Sequence, residues 1–187
     1  MVHCKKSVKI IFMLCVSIMY STLSFAQQSG KFRAGVEAGI LVPFTIVERN
    51  VGFLWAVEPK YNFRDNMNVG IKVENVSFTR HKSHNADLVS FSATYDYYYN
   101  PKRNLFSPFI GAGGGYYFCK VDMWQTLSKY NNPTCFIRLG FELGKFRTSL
   151  TYNVIRKSSE THWENKNNDY ISFNIGFYLG GGKWKQK

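Results

Sequence analysis

The sequence is poor in several features on which common folds depend. Its 187 residues include only four cysteines and five prolines, and its 12 acidic residues are half as many as its 24 basic ones. Only two of the cysteines, Cys119 and Cys135, lie beyond the first 26 residues, and two are too few for a disulfide scaffold. Beyond the N-terminus, no apolar run reaches the roughly 18 residues that mark a membrane-spanning helix, and helical periodicity is missing over any useful length. These absences argue against a disulfide-rich domain and a helix-rich protein.

The N-terminus has the three-part pattern of a secretory signal peptide. Three lysines precede an apolar run from Ile10 to about Tyr20, and a small-residue cleavage site ends at Ala26. The run is too short for a spanning helix. We therefore predict a signal peptide over 1–26 and one mature domain over 27–187, with a short basic tail over 180–187. Removing the three lysines lowers the net charge from +12 to +9.

The mature chain alternates apolar and polar residues in eight segments. From Phe32 to Val42 the even positions are apolar, whereas the odd positions include Arg33 and Glu37. Such a period of two is typical of a strand with one apolar and one polar face. Most segments are close to the 9 to 11 residues that a tilted strand needs to cross a bilayer. The other segments are 53–63, 69–73, 89–99, 108–118, 137–143, 146–154 and 169–179.

The predicted connections differ between the two ends of these strands. The connections over 41–52, 78–87, 118–134 and 155–169 are long and polar, whereas those around Arg64 and Gly144 are short. Long loops at one end and short turns at the other are the plan of an outer-membrane barrel. We therefore predict an all-β fold: an eight-stranded antiparallel up-and-down transmembrane β-barrel.

Almost all charged residues of the segments lie on the polar face. They are five acidic and five basic residues. A soluble barrel would reverse this arrangement and expose the charges to water, and the apolar, aromatic face would aggregate there. We therefore predict a lumenal charge network, with Arg33 on the same face, in a lumen that side chains fill. The predicted network is Glu37, Glu58, Lys60, Lys72, Glu74, Asp96, Arg138, Glu142 and Arg147, and its predicted centre is Glu37, Lys72, Glu74, Arg138 and Glu142.

A glycine-rich stretch, PFIGAGGGYYF over 108–118, forms the fifth segment. A phosphate-binding loop would need a following helix and a different glycine spacing, so no cofactor is predicted. Gly111, Gly113 and Gly115 occupy alternate positions of this segment, and these positions face the lumen. Because glycine in a strand marks close approach, we predict a lane of free space here in which the lumenal charges meet.

Two residues interrupt the regular pattern. Pro59 lies inside the second segment and removes a ladder donor, which predicts a bulge or local irregularity. Asn75 breaks the alternation of the third segment, and we expect it to resume shifted at Val76 and Phe78.

The chain resembles the small eight-stranded outer-membrane β-barrel domain proteins. The signal peptide and the stretches PFIGAGGGYYF, FIRLGFELG and YISFNIGFYL carry the resemblance. It implies a porin-like barrel exported to the outer membrane, with outer-membrane lipid, lipopolysaccharide and the barrel-assembly machinery as partners. It also implies a structural or surface-interaction role, in adhesion or envelope integrity, through extracellular loops whose ligand is unknown. One departure is the tail GGGKWKQK, because such barrels often end at an aromatic residue.

Two alternatives to a structural role remain. A narrow small-solute channel is one, although a plugged lumen is the favoured interpretation. The other is an enzyme, since RHKSHNAD over 80–87 resembles the lipid A deacylase family, with Ser83 as nucleophile and His81 as its base. The family has Asn directly after the Ser, whereas His84 stands here. No catalytic residue is therefore assigned, and we predict that the protein is not an enzyme.

The remaining cysteine, histidine and basic residues indicate no further site. No Cys or His spacing suggests a metal. The basic charge suggests nucleic acid, but the signal peptide and the lipid-facing strands argue against that partner. Cys119 and Cys135 flank the third predicted loop in an oxidising compartment, and whether they form a disulfide is open at this stage.

Overall fold

The computed structural model describes residues 28–44, 51–80, 84–99, 106–123, 126–156 and 169–181. Each strand pairs antiparallel with the next, and the last pairs with the first, which closes the barrel. The predicted eight-stranded antiparallel barrel is confirmed. The predicted signal peptide lies outside the described residues. The strands are β1 (Lys31–Pro43), β2 (Gly52–Arg64), β3 (Met67–Arg80), β4 (His84–Tyr98), β5 (Phe106–Met123), β6 (Thr126–Leu143), β7 (Phe146–Ile155) and β8 (Tyr170–Gly180).

The outer surface of the barrel is apolar and its interior is largely polar. In β2, for example, Trp55 is 49% exposed whereas its neighbours Leu54 and Ala56 are buried. Because successive strand side chains point to opposite faces, the alternation places one face of each strand outside and the other in the lumen. Among the described residues, no helix is long and apolar enough to cross a membrane.

Two of the four predicted long loops are largely strand. The ladder of β3 with β4 continues to Arg80–His84, and that of β5 with β6 to Met123–Thr126. The loops predicted over 78–87 and 118–134 are therefore corrected to long hairpins. The sequence does not indicate these strand extensions, because a hairpin that projects beyond the barrel needs no apolar face and therefore no alternation of apolar and polar residues. The predicted turns after β2 and β6 are confirmed, and Gly144 adopts φ 62° in the second of them.

The two irregular residues have different outcomes. The ladder of β2 with β3 is interrupted at Glu58 and Pro59, between the pairs Val57–Val73 and Lys60–Gly70, so the predicted local irregularity at Pro59 is present. The register is the same on both sides of it and shifts only between Asn62 and Arg64. The alternation also continues through Asn75, since Val76 is buried inside the barrel. Backbone pairing with both neighbours holds the face of each residue, so one polar side chain does not invert it.

An apolar cluster fills the lumen towards the ends of β1, β3 and β7. Leu54 and Val76 are completely buried there, and the Tyr117 and Tyr170 rings meet edge to face at 6.4 Å. The sequence pattern did not predict this cluster, because its members have the parity of the polar face. Its members are Leu41, Leu54, Val76, Tyr117, Ile155 and Tyr170, with Leu88 packed against them.

Candidate functional site

Among the described residues, ten charged side chains lie in the lumen, and they are the nine predicted network residues and Arg33. Each of these residues is at most 6% exposed. Five are acids and five are bases, so their formal charges cancel. Each of the five carboxylates lies within 4 Å of at least one cationic group, in the ion pairs described below. Such pairing is required, since an uncompensated buried charge is strongly destabilising.

Asp96 on β4 connects three of these cations. It accepts hydrogen bonds from Lys60 at 2.5 Å, from Arg138 at 2.8 Å and from Arg147 at 3.0 Å. The three cations come from β2, β6 and β7, so one carboxylate links strands on opposite sides of the barrel. Asp96 was not among the residues predicted at the network centre, and that prediction is corrected.

Glu58 on β2 forms the second link across the lumen. Arg138 donates to both of its oxygens, at 2.7 and 3.2 Å, in the bidentate geometry that suits a guanidinium and a carboxylate. Thr94 donates to Glu58 at 2.7 Å. The Tyr178 hydroxyl lies 2.6 Å from Glu58 and 2.7 Å from Glu37. Both carboxylates are therefore tied to the last strand, β8.

Glu142 and Arg33 extend the network towards the short turns. Arg33 donates to Glu142 at 2.6 Å, as does the Tyr98 hydroxyl. Arg147 lies 3.2 Å from the same carboxylate and thereby joins this pair to Asp96. The Arg147 guanidinium also stacks on the Phe109 ring at 3.7 Å, so its apolar face is covered as well.

Lys72 and Glu74 form a separate group beneath the apolar cluster. They lie 2.5 Å apart, and Glu74 accepts hydrogen bonds from Tyr117 at 2.7 Å and Tyr170 at 2.8 Å. The two hydroxyls also contact each other. Lys72 reaches Glu37 only at 3.7 Å, so this group is at the edge of the network.

Comparisons with solved structures identify the fold. Neisserial surface protein A (NspA) is 16% identical, with a TM-score of 0.68 over 81% of this chain and 99% of that one. The outer membrane enzyme PagL is 14% identical, with a TM-score of 0.52 over 78% and 98%. Ail, the attachment invasion locus protein of Yersinia pestis, is 11% identical, with a TM-score of 0.50 over 81% and 100%.

The chain has the fold of the small eight-stranded outer-membrane barrels. No known protein family and no curated protein matches the sequence. At these identities the likeness is one of fold. The fold is shared by an enzyme and by an attachment protein, according to their names, so it does not select an activity for this outer-membrane-type barrel.

Four lumenal tyrosines complete the network, and sequence reasoning assigned no role to them. Tyr98, Tyr117, Tyr170 and Tyr178 are at most 3% exposed, and each hydroxyl contacts a network carboxylate. Their parity within each strand was a usable signal, since all four alternate with outward residues. The sequence analysis did not use this signal, because tyrosine is also typical of the outer interfacial belts of such barrels.

The three glycines of β5 border the network but do not form one free lane. At Gly111 the neighbouring space holds Asp96 and Arg138, which do meet there. At Gly113 it holds the Phe136 ring, and at Gly115 the backbone of β4 approaches closely. The predicted lane is therefore corrected, because only Gly111 adjoins an ion pair of the network.

The two cysteines of the barrel do not form a disulfide. Cys135 is free and exposed on the outer face. Its register partner on β5 is Gly114, whereas Cys119 is opposite Tyr130. Five residues along a strand span about 17 Å, well beyond the roughly 7 Å between Cα atoms that a disulfide permits. The open question about this bond is thereby answered.

The described charged residues of the lumen are at most 6% exposed. Their carboxylates, guanidiniums and ammoniums are buried in mutual ion pairs. The described residues also contain no group of three or more His, Cys, Asp and Glu side chains that could hold a metal. His81 and Ser83 lie outside the described residues. What the network can do chemically is neutralise and cross-link the barrel from inside.

Proposed function

We propose that the protein is an outer-membrane β-barrel with a structural or surface-interaction role. Its interaction surface would lie at the end where β3, β4, β5 and β6 continue past the other four strands. The ladder of β2 with β3 ends at Phe53–Ser77, and the described ladder of β6 with β7 ends at Thr134–Ile155. Beyond these pairs β5 and β6 remain paired for eight more residues each, to Met123–Thr126. This projecting sheet is the observation that carries the proposal.

The outer surface supports a membrane location. Large apolar side chains cover it, and their number would cause aggregation in water. Aromatic side chains such as Phe53 and Trp55 lie towards the long connections, and Tyr61 and Phe63 towards the turns. Two such belts are typical of barrels that contact lipid headgroups at both interfaces. The partners proposed for this surface are outer-membrane lipid, lipopolysaccharide and, during insertion, the barrel-assembly machinery.

The filled lumen favours a structural role over transport. A conducting pore needs a continuous polar path, whereas here paired charges occupy one part of the lumen and an apolar cluster occupies another. Opening a path would require breaking buried ion pairs, each of which costs several kcal/mol when one partner is lost. The projecting sheet, by contrast, is free to vary without disturbing the network.

The test shortens the projecting part of the β5–β6 hairpin by its outer four residue pairs and keeps the barrel. Cys119 and Tyr130 are register partners, so residues 120–129 can be replaced by Asn-Gly, which favours a tight hairpin turn. The matched control replaces Gly144-Lys145 by Asn-Gly at the opposite end. Both variants should fractionate with outer membranes and migrate differently in gels before and after boiling.

Only the shortened hairpin should change surface interactions. We expect cells that express it to lose the cell aggregation that the parent chain causes, while the control keeps it. An unchanged phenotype in a folded hairpin variant would refute the interaction surface. Recovery of the parent chain in the soluble periplasm would refute the membrane location as well.

The two other candidate functions have distinct outcomes. A deacylase-like enzyme would alter lipid A acylation on expression, and Ser83→Ala would abolish the change. A channel would give discrete conductance steps in planar bilayers. We expect neither, and either result would replace the structural proposal.

A further inference from the structure

We propose that the lumen-facing residues of β1 and β8 select the register in which the barrel closes. These strands are the first and the last, so their pairing completes the ring. Their register contributes to the stagger of the whole barrel. A slip by one residue is excluded because it would turn every side chain to the wrong face. A slip by two residues keeps all faces, and another feature must exclude it.

That feature is a regular complementarity of size along the seam. In four successive lumen-facing pairs, one residue is glycine and the other has a large side chain. The large residue belongs to β1 in the first pair, to β8 in the second, and so on alternately. The four seam pairs are Arg33–Gly180, Gly35–Tyr178, Glu37–Gly176 and Gly39–Asn174.

The large residue occupies the space beside its glycine in the inner seam pairs. A Cβ on Gly35 would overlap the Tyr178 ring, and one on Gly39 would overlap the Asn174 amide. A Cβ on Gly176 would lie 2.8 Å from Cγ of Glu37. These distances are shorter than normal van der Waals contacts. At Gly35 only the Tyr178 ring causes the overlap, whereas at Gly39 the Phe173 carbonyl at 2.5 Å and at Gly176 the Val36 carbonyl at 3.0 Å add to it.

Because the large residues alternate between the strands, every slip by two destroys the fit. In one direction Tyr178 comes opposite Glu37, and in the other it comes opposite Arg33. In both cases glycines also come opposite glycines. The slipped seam thus combines overpacking with empty space, both of which are destabilising.

The glycines of β5 provide an internal comparison. Gly111, Gly113 and Gly115 follow one another on a single strand, so a slip by two still sets a glycine opposite Phe136 or Arg138. Within these three pairs size does not discriminate registers, and the β5–β6 ladder has one alternation next to them, from Phe109–Gly140 to Gly111–Arg138, whereas the β1–β8 seam alternates over four pairs. The alternation between strands is therefore what gives the β1–β8 seam its selectivity.

The register can be read by disulfide cross-linking on the outer face. Ala38 and Ile175 are directly opposite, so Ala38→Cys with Ile175→Cys reports the native register. Ala38→Cys with Phe173→Cys or Phe177→Cys reports the slipped ones, since diagonal pairs lie about 7–8 Å apart in the native barrel. All variants are made in the full chain with Cys119→Ser and Cys135→Ser.

The decisive perturbation is Gly35→Leu, with and without Tyr178→Ala. Alone, Gly35→Leu should lower the native cross-link at least about fivefold, whereas with Tyr178→Ala it should lower it less than about twofold relative to Tyr178→Ala alone. Gly114→Leu is the control and should leave the cross-link unchanged, because a Cβ on Gly114 meets nothing closer than 3.5 Å.

Two results would overturn the proposal. One is a native cross-link that survives Gly35→Leu undiminished. The other is a loss that is equally large with and without Tyr178→Ala, because Gly35 would then be needed for its backbone alone. A Gly35→Leu chain that fails to fold still counts, since the comparison in the Tyr178→Ala background decides the cause.

Discussion

Replacing Asp96 by asparagine should unbalance the lumen while preserving its shape. The amide is nearly isosteric with the carboxylate, so no cavity forms. Lys60, Arg138 and Arg147, which donate to Asp96 at 2.5 to 3.0 Å, then share a neutral amide with a single acceptor oxygen in place of an anion. The ten charges become five bases and four acids, which leaves one uncompensated positive charge in the buried network.

The expected cost follows from the burial of the pair. Removing one partner of a buried ion pair costs about 3–5 kcal/mol, a large part of the roughly 5–15 kcal/mol by which domains are stable. With a guanidinium slope of roughly 4 kcal/mol/M for a chain of this size, the unfolding midpoint should fall by about 1 M. The measurement is guanidinium unfolding of the protein in detergent micelles, followed by tryptophan fluorescence and by gel migration without boiling.

Two further variants identify the cause of the loss. Asp96→Asn with Lys60→Met restores the balance of charge, so its cost should be about 1–3 kcal/mol less than the sum of the single costs. Asp65→Asn, in the turn between β2 and β3, keeps an oxygen that can accept the exposed hydrogen bond from the Ser29 backbone N–H and should cost less than about 1 kcal/mol. A midpoint that moves by under about 0.3 M in Asp96→Asn, or strict additivity in the double variant, would refute the role of the network.

Three other predictions test the interior and the cysteines. Tyr178→Phe removes a hydroxyl that contacts two lumenal carboxylates, and it should lower the unfolding free energy by about 1–3 kcal/mol; an unchanged guanidinium midpoint would contradict this. Gly111→Ala should destabilise the barrel by about 1–3 kcal/mol, because its Cβ would displace a network carboxylate, whereas Gly114→Ala should be nearly neutral; equal midpoints would count against the contrast. Cys119 and Cys135 should both react with maleimide in the unfolded, unreduced protein, and protection of the pair would show a disulfide.

Much of the candidate site could be predicted from the alternation of residues along each strand. Each of the nine predicted charges has the parity of the polar face, and the structure places all of them inside. Parity cannot show which charges meet, because that depends on register and stagger between strands. Asp96 and Lys60 are 36 residues apart in the chain and 2.5 Å apart in the lumen, a proximity that no local pattern contains.

The errors have a common physical origin. Val76 was assigned to the outer face because it is apolar, yet the lumen contains an apolar cluster that Val76 helps to form. The hairpin of β5 and β6 was interpreted as a loop because its projecting part lacks the alternation that a buried face imposes. In both cases the residue type indicated whether a side chain prefers water. It did not indicate whether the backbone is a strand or which way the side chain points.

The amino-acid sequence by itself determined the strands of the barrel and which face of each points outward, because alternation and burial are local consequences of a period of two. Tertiary structure alone decided how the lumenal charges pair, where the hairpins end and how β1 meets β8. These features depend on contacts between residues far apart in the chain. Their energies come from complementary size and charge across the lumen, which exist only once the ring has closed.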